Sequence, residues 1–354
     1  ESNLPNVEIV DLREELAMGN KSMISQRLQE EIEKNLKEKK QTILFLNRRG
    51  YSTFIMCRNC GYTVKCKNCD IPMVYHNSDK TVKCHWCNTS YNVPEVCPVC
   101  GSTEIKMGGA GTQRIEVISQ KLFPEAKIDR IDSDILSSKY RYIDILDKFQ
   151  NGTIDILIGT QMIAKGLDNP NVTLVGVIDS DISFAFPDYR SAERGFQLLM
   201  QVAGRSGRGC SEGRVIFQTY NPELYAIQDA KEQNYINFYK NEINRREIFD
   251  YPPFCQIVKI VVTSNTEERA SLCADEIARN LKIQISKLGL SEYIDVKGAM
   301  KCIMHKINAE YRFQIVIKNK MNKKGQYIIS KFMKNTSPAT DIKVVIDIDP
   351  IDII

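Results

Sequence analysis

The sequence predicts an α/β domain on a mostly parallel sheet, broken by a cysteine-rich insertion and followed by a smaller α+β domain. Three observations predict it. Apolar strands and amphipathic helices alternate with short links, eight of 12 cysteines crowd between Cys57 and Cys100, and a β-α-β-β-α-β pattern follows Pro253.

At 354 residues the chain has room for two or three compact units. A composition of 43% hydrophobic and 26% charged residues is that of a globular chain, not a disordered or fibrous one. No apolar run approaches the roughly 18–20 residues of a membrane span, so no membrane partner is expected. Glu1-Ser2-Asn3-Leu4-Pro5-Asn6 has neither the basic head nor the apolar core of a secretory signal. The start at Glu1 predicts a fragment of a longer chain. A net charge of +4 does not by itself imply nucleic acid, because clustering of Lys and Arg matters more than the sum.

Ile24, Leu28, Ile32 and Leu36, four apart, predict an amphipathic helix over 22–39. Thr42-Ile43-Leu44-Phe45-Leu46 is wholly apolar after Thr42, as a strand buried on both faces must be. Beyond the cysteines come a helix at 112–122, a strand at 127–132, a helix near 138–150, a strand at 154–158 and a strand at 172–178. A helix at about 188–205, a strand at 214–219 and a helical stretch near 222–246 complete the first domain. Asp250-Tyr251-Pro252-Pro253 marks a boundary, since a residue before proline is pushed off helical geometry. Strands at 255–263, 293–297, 310–318 and 342–348 with helices at 266–287 and 322–334 make a split βαβ unit. The expected domains are 1–52 and 106–246 for the sheet domain, 53–105 for the insertion and 247–354 for the terminal domain.

The cysteines form four Cys-x-x-Cys knuckles: Cys57/Cys60, Cys66/Cys69, Cys84/Cys87 and Cys97/Cys100. Two thiolates at this spacing reach one tetrahedral ion, so eight predict two structural Zn²⁺. Without a signal peptide, metal is expected rather than disulfides. Residues 73–83 read as a hairpin with a polar turn, which sets Cys66/Cys69 beside Cys84/Cys87 and leaves Cys57/Cys60 with Cys97/Cys100. A cross-braced pairing is the alternative. Four thiolates saturate each ion, so His76 and His85 are expected to be surface residues that bind no metal.

Gln201-Val202-Ala203-Gly204-Arg205-Ser206-Gly207-Arg208 carries the second signal. On a helix Gln201, Arg205 and Arg208 share one face, where two guanidiniums can embrace a phosphate during its transfer. Gly204 and Gly207 would let a neighbouring backbone approach. Gly159 and Thr160 follow an apolar strand, where ligands of α/β sheets bind, and Arg48 and Arg49 form a basic turn at another strand end.

The segments LFLNRRGY, GTQMIAKGLDNPNVTLVGVIDSD, DYRSAERGFQLLMQVAGRSGRG and IDIDP, with the four knuckles, resemble the PriA family of primosomal replication-restart helicases over essentially the whole chain. The resemblance implies the second RecA-like lobe of a superfamily 2 DNA helicase with its two-zinc insertion and terminal domain. Gln201, Arg205 and Arg208 then match the motif that meets ATP. Gly159, Thr160, Gln161, Lys165, Gly166 and Asp168 match the motif that couples DNA to nucleotide. On this reading Gly166, Asp168 and Gly204 face the nucleotide, while Arg48, Arg49, Gly159, Thr160, Gln161 and Lys165 face DNA. The family's zinc pairing is the nested one.

No Gly-x-x-x-x-Gly-Lys-Ser/Thr loop occurs; Gly19-Asn20-Lys21-Ser22 lacks the earlier glycine. ATP and Mg²⁺ are therefore expected only in a full-length protein, and this half alone is expected to be inactive. Asn169 stands where relatives commonly carry an aromatic. The resemblance further implies 3′–5′ translocation, branched and single-stranded DNA, single-stranded-DNA-binding protein, other primosome proteins and the loader of the replicative helicase as partners. It also implies a cytoplasmic, nucleoid-associated protein. The rival expectation is a non-enzymatic zinc-ribbon scaffold.

Overall fold

The structure is a computed structural model that describes residues 5–47, 54–69, 71–76, 80–85, 87–107, 112–131, 139–160, 163, 169–206, 213–336 and 339–351. It divides into two compact units. One comprises Glu1–Thr63, Pro94–Phe186 and Arg190–Lys240; the other comprises Val64–Val93, Pro187–Tyr189 and Asn241–Ile354.

The first unit is built on six parallel strands: β1 (Asn6–Asp11), β2 (Gln41–Phe45), β8 (Ile128–Ile131), β9 (Ile156–Gly159), β10 (Val172–Val177) and β11 (Arg214–Thr219). Their order is β1-β11-β10-β2-β9-β8. Alternate residues of a strand point to opposite faces, so Ile43 and Phe45 join Phe149, Phe196, Leu199 and Val202 on one side. Leu44 and Leu46 join Ile24, Leu28, Ile32 and Ile115 on the other. Both faces are buried, which is why β2 reads as continuous apolar sequence.

The helices that cover them are α1 (Leu12–Ala17), α2 (Gln26–Lys37), α3 (Thr112–Leu122), α4 (Lys139–Gln150), the short α5 (Asp181–Phe184), α6 (Ser191–Ala203) and α7 (Tyr225–Lys231). Ser25 starts α2 by accepting the Leu28 N–H at 3.1 Å. Leu28 then lies over Gly176 of β10, where a Cβ would come within 2.8 Å of it.

The alternation of the first domain is as expected, with three differences. Polar β1, α1 and the short α5 had no counterpart in the reading of the sequence. The stretch near 222–246 is two helices, α7 and α8 (Tyr235–Ile248), separated where Gln233 takes φ +53°. The helix expected to reach 205 ends at Ala203.

The second unit holds the antiparallel strands β12 (Gln256–Ser264), β13 (Ile294–Ile307), β14 (Glu310–Asn319) and β15 (Lys343–Ile348). Their order β13-β14-β12-β15 is that of the expected split βαβ unit. Helices α9 (Glu267–Lys287) and α10 (Lys323–Lys334) lie on one face. There Val258, Ile260, Val262, Ile315 and Ile317 pack on Ala274, Ile277, Leu281, Ile285 and Ile329.

The cysteine segment supplies β3 (Ile55–Cys57) paired with β7 (Ile105–Met107), and between them a three-stranded sheet of β4 (Val74–His76), β5 (Thr81–Lys83) and β6 (Ser90–Asn92). The first pair falls in the first unit and the inner sheet in the second.

Candidate functional sites

The nested strands bring the cysteines together in two sets of four, Cys57/Cys60/Cys97/Cys100 and Cys66/Cys69/Cys84/Cys87, each with its sulfurs within 4.8 Å of one another. Sγ atoms are 3.7 Å apart for Cys57 and Cys100, 3.5 Å for Cys60 and Cys97, and 3.4 Å for Cys66 and Cys87. A tetrahedral Zn²⁺ with Zn–S bonds of about 2.3 Å needs sulfurs about 3.8 Å apart. The residues fit zinc.

Knuckle geometry explains the spacing. The N–H groups of Gly61, Asn88 and Gly101 donate to the carbonyls of Cys57, Cys84 and Cys97 at 2.8–2.9 Å. All three residues take left-handed φ, at +73°, +61° and +70°. Each turn leaves its pair of sulfurs on one side. Burial pushes the Cys60 thiol up to about 12, with Cys100, Cys97 and Cys57 adding to the effect. The sulfurs of Cys66, Cys84 and Cys87 push Cys69 up as well. Four thiolates this close need a cation to share them. Because all four positions are thiolates, no place is left for a reactive water, and the ion's role is structural.

The two clusters are seated differently. The outer one lies in the first unit, where Gly61 faces backbone: an added Cβ would stand 2.0 Å from the Tyr220 carbonyl oxygen. Phe54 and Met56 pack there with Ala185, Ile182 and Tyr220.

The inner cluster lies on the second unit's sheet, on the face away from α9 and α10. His85 is 5% exposed, and its Nδ1–H donates to the Lys301 carbonyl at 2.8 Å. The other ring nitrogen, 2.9 Å from His76 Nε2, then accepts. Burial pushes His85 down to about 4, so the ring is neutral. Gln314 donates to the His85 carbonyl at 2.7 Å and Tyr251 to the Cys69 carbonyl at 2.8 Å. Neither histidine belongs to the sulfur sets, as expected, but His85 is buried rather than a surface residue. It is anchored to a strand more than 200 positions away in sequence.

Two lysines of the second unit lie within electrostatic reach of the inner sulfurs. Lys318, 7% exposed, donates to the Phe249 carbonyl at 2.6 Å and lies 3.9 Å from the centre of the Tyr251 ring. Burial lowers its pKa, while the Cys69 thiolate opposes that shift. Burial also pulls Lys297 down, but Asp295 and the thiolates of Cys69 and Cys87 hold it above its ordinary value.

At the sheet of the first unit, the carboxyl ends of the strands carry Asn47, Gly159, Thr160, Asp179 and Asp181. Asn47 donates to Ser183 Oγ at 2.9 Å. Gly159 makes room for Ile163: a Cβ would lie 1.8 Å from its side chain and 2.9 Å from the Ile131 carbonyl. The turn closes with the Ile163 N–H on the Thr160 carbonyl at 3.0 Å. Burial and mutual repulsion push Asp179 up to about 7, and burial pushes Asp181 up to about 6. Asp181 accepts the Thr219 hydroxyl at 2.9 Å and the Tyr220 N–H at 2.7 Å. The sequence reading assigned neither aspartate a role, although Asp-Ser-Asp after an apolar strand was the signal.

Gln201 and Arg205 lie elsewhere. Helix α6 runs back across the sheet, and Ser206 is fixed by hydrogen bonds from its hydroxyl to the carbonyls of Thr173 and Arg214, at 3.0 and 3.1 Å. Those residues open β10 and β11, so this segment sits at the amino ends of the strands. Arg205 follows the helix end, in a turn closed by its N–H on the Val202 carbonyl. Helical periodicity therefore does not set the direction of Arg205. A Cβ on Gly204 would meet the Met200 and Gln201 carbonyls at 3.6 and 3.7 Å, ordinary contact distances, so none of the described residues requires glycine there. Asn169 bridges Gln41 Oε1 and the Phe149 carbonyl at 2.9 and 3.2 Å and is buried, a structural use for a polar residue. Asn20 and Ser22 form a local turn, with the Ser22 N–H on Asn20 Oδ1. Arg48, Arg49, Gln161, Lys165, Gly166, Asp168, Gly207 and Arg208 lie outside the described residues. No helix among those described is long and apolar enough to cross a membrane.

Three family models match in separate segments. Residues 104–210 match the helicase conserved C-terminal domain, 247–351 the primosomal protein N C-terminal domain, and 66–90 the PriA DNA helicase Cys-rich region. The chain is 42% identical over 98% of its length to the replication restart protein PriA of Bacillus subtilis, covering 42% of that protein. It is 36% identical over all of its length to that of Borreliella burgdorferi, covering 52%. It thus spans about half the length of the curated relatives it matches. RecG bound to a three-way DNA junction aligns with 69% of this chain and 22% of its own at 13% identity, with a TM-score of 0.37, too slight a likeness to add to the fold. The chain belongs to the PriA family of replication restart proteins and corresponds to the C-terminal half of its members.

Proposed function

We propose that this chain is the C-terminal half of an ATP-dependent 3′–5′ DNA helicase that recognises stalled or branched replication forks and starts primosome assembly. The observation that carries this reading is 42% identity to a replication restart protein across 98% of the chain. In it, residues 1–52 and 106–246 form the second motor lobe, 53–105 the two-zinc insertion and 247–354 the terminal domain. Its partners are branched and single-stranded DNA, single-stranded-DNA-binding protein and other primosome proteins, in the cytoplasm at the nucleoid.

ATP and Mg²⁺ are held mainly by the other half of the protein and supply the energy for translocation. Arg205 and Arg208 offset charge on the triphosphate, and Gln201 orients there. Gly159 and Thr160 face the DNA strand with Arg48, Arg49, Gln161 and Lys165, while Gly166, Asp168 and Gly204 lie toward the nucleotide. Both zincs supply folding energy and no chemistry.

In the full-length protein, Arg205→Ala or Arg208→Ala is expected to lower kcat of DNA-stimulated ATP hydrolysis by roughly 10³-fold or more, with zinc content unchanged. The isolated chain is expected to hydrolyse ATP negligibly. Robust single-strand-dependent hydrolysis by it, lost on Arg208→Ala, overturns the reading.

A further inference from the structure

Helix α10, KKGQYIISKFMK, contains no Asp or Glu. Every other described helix of eight or more residues carries at least one. Its inner side is fixed by buried Gly325 and Ile329. At about 100° per residue, Lys323, Lys324, Tyr327, Lys331 and Lys334 fall on the opposite side, within an arc of about 100°. All five are exposed, Tyr327 by 68%. Among the described residues, none of the four lysines has an ion-pair partner. Three other lysines of this unit do have carboxylate partners: Lys320 with Asp250 at 2.7 Å, Lys297 with Asp295 at 2.6 Å and Lys301 with Glu267 at 2.5 Å.

We propose that this face of α10 binds a single DNA strand, with phosphates along the four lysines and a base stacked on Tyr327. The inference goes beyond the motor reading and needs only that the protein meets DNA. Charge complementarity carries it. From Lys323 to Lys334 the helix rises about 17 Å, a row of positive charge that suits successive phosphates of a strand. A ring at the centre of that row provides the stacking platform that sequence-tolerant strand binding uses.

An acidic peptide is the less suitable occupant. Carboxylates are gripped best by the fork of arginine, and this face has none. Peptides also seat in a groove or along a sheet edge, and these five residues form the outer, convex side of a helix.

The test measures anisotropy of a fluorescein-labelled oligothymidylate against the zinc-loaded full chain over a range of salt. Tyr327→Ala is expected to weaken binding roughly 5- to 150-fold at fixed salt, with Tyr327→Phe restoring it. Lys324→Ala combined with Lys331→Ala is expected to reduce the slope of log K against log salt by about 1.4. Zinc content and melting temperature check that each variant is folded.

Wild-type binding with both sets of variants unchanged overturns the α10 proposal and leaves the motor reading standing. Absence of wild-type binding overturns the proposal and weakens that reading too. Displacement of the probe by polyglutamate, with affinity lost on Tyr327→Ala for that peptide as well, assigns the face to an acidic partner and overturns it.

Discussion

The two cysteine clusters share their spacing and ligand type but are held by different means. The outer one is seated by shape: backbone meets backbone at Gly61 and Tyr220, with an apolar patch beside it. The inner one is seated by polar groups of a sheet, through His85, Gln314 and Tyr251, with Lys297 and Lys318 within electrostatic reach of its sulfurs. Four knuckles in one stretch of 44 residues, Cys57 to Cys100, therefore serve two folding units. Spacing predicts how many ions bind. The seat decides which unit each ion stabilises.

The sharpest way to break this comparison is to remove one ion at a time. Cys84→Ser is expected to leave one zinc per chain and to cost the second unit several kcal/mol (about 3 or more, as loss of a structural metal does). Hydrogen exchange should then rise in β13 and β14 while β10 and β11 stay protected. Cys57→Ser should reverse the pattern. Equal deprotection of both units by either variant would refute the division of labour.

A smaller effect is expected from Gly61→Ala. The change meets both a left-handed φ and the Tyr220 carbonyl, and should destabilise the first unit by about 2–4 kcal/mol. A thermal melt reads the loss, and two zincs should remain bound. A neutral outcome would mean that the seat at Tyr220 does not matter.

The smallest effect separates the units by pH. Burial raises Asp179 to about 7, against roughly 3.9 in an unfolded chain. Between about pH 4 and 7 the folded unit keeps a proton that the unfolded chain has released, so its stability falls as pH rises through that window. His85 has the opposite sign. Its depressed value near 4 means that the second unit loses stability as pH falls from about 6.5 toward 4. Asp179→Asn should flatten the first dependence and raise the melting temperature at pH 8 by roughly 2–4 °C, the equivalent of about 1 kcal/mol. The same pH dependence in wild type and Asp179→Asn would show that Asp179 is charged when folded.

Local patterns were legible and remote contacts were not. β2, α3 and β11 could be read because burial on defined faces imposes periodicity on consecutive residues. The nested sulfur sets could be read because a hairpin places its two legs side by side. Polar β1, an edge strand with the sequence NVEIVD, offers too little apolar contrast to stand out. The division of the clusters between units was invisible because its residues, His85 with Lys301 and Gln314, Tyr251 with Cys69, are joined only by the folded chain. The end of α6 at Ala203 was missed for a similar reason: Ser206 is drawn to the openings of β10 and β11, a tertiary demand that overrides a continuous helical pattern.

The return path of α6 has a mechanical consequence. It leaves Gly159 and Thr160 on one rim of the sheet and Arg205 on the other, separated by a strand of six residues, about 20 Å. No small ligand reaches both rims. An event at one rim reaches the other through α6 and the fully buried strands beneath it, which makes the sheet a transmission rod rather than a passive scaffold.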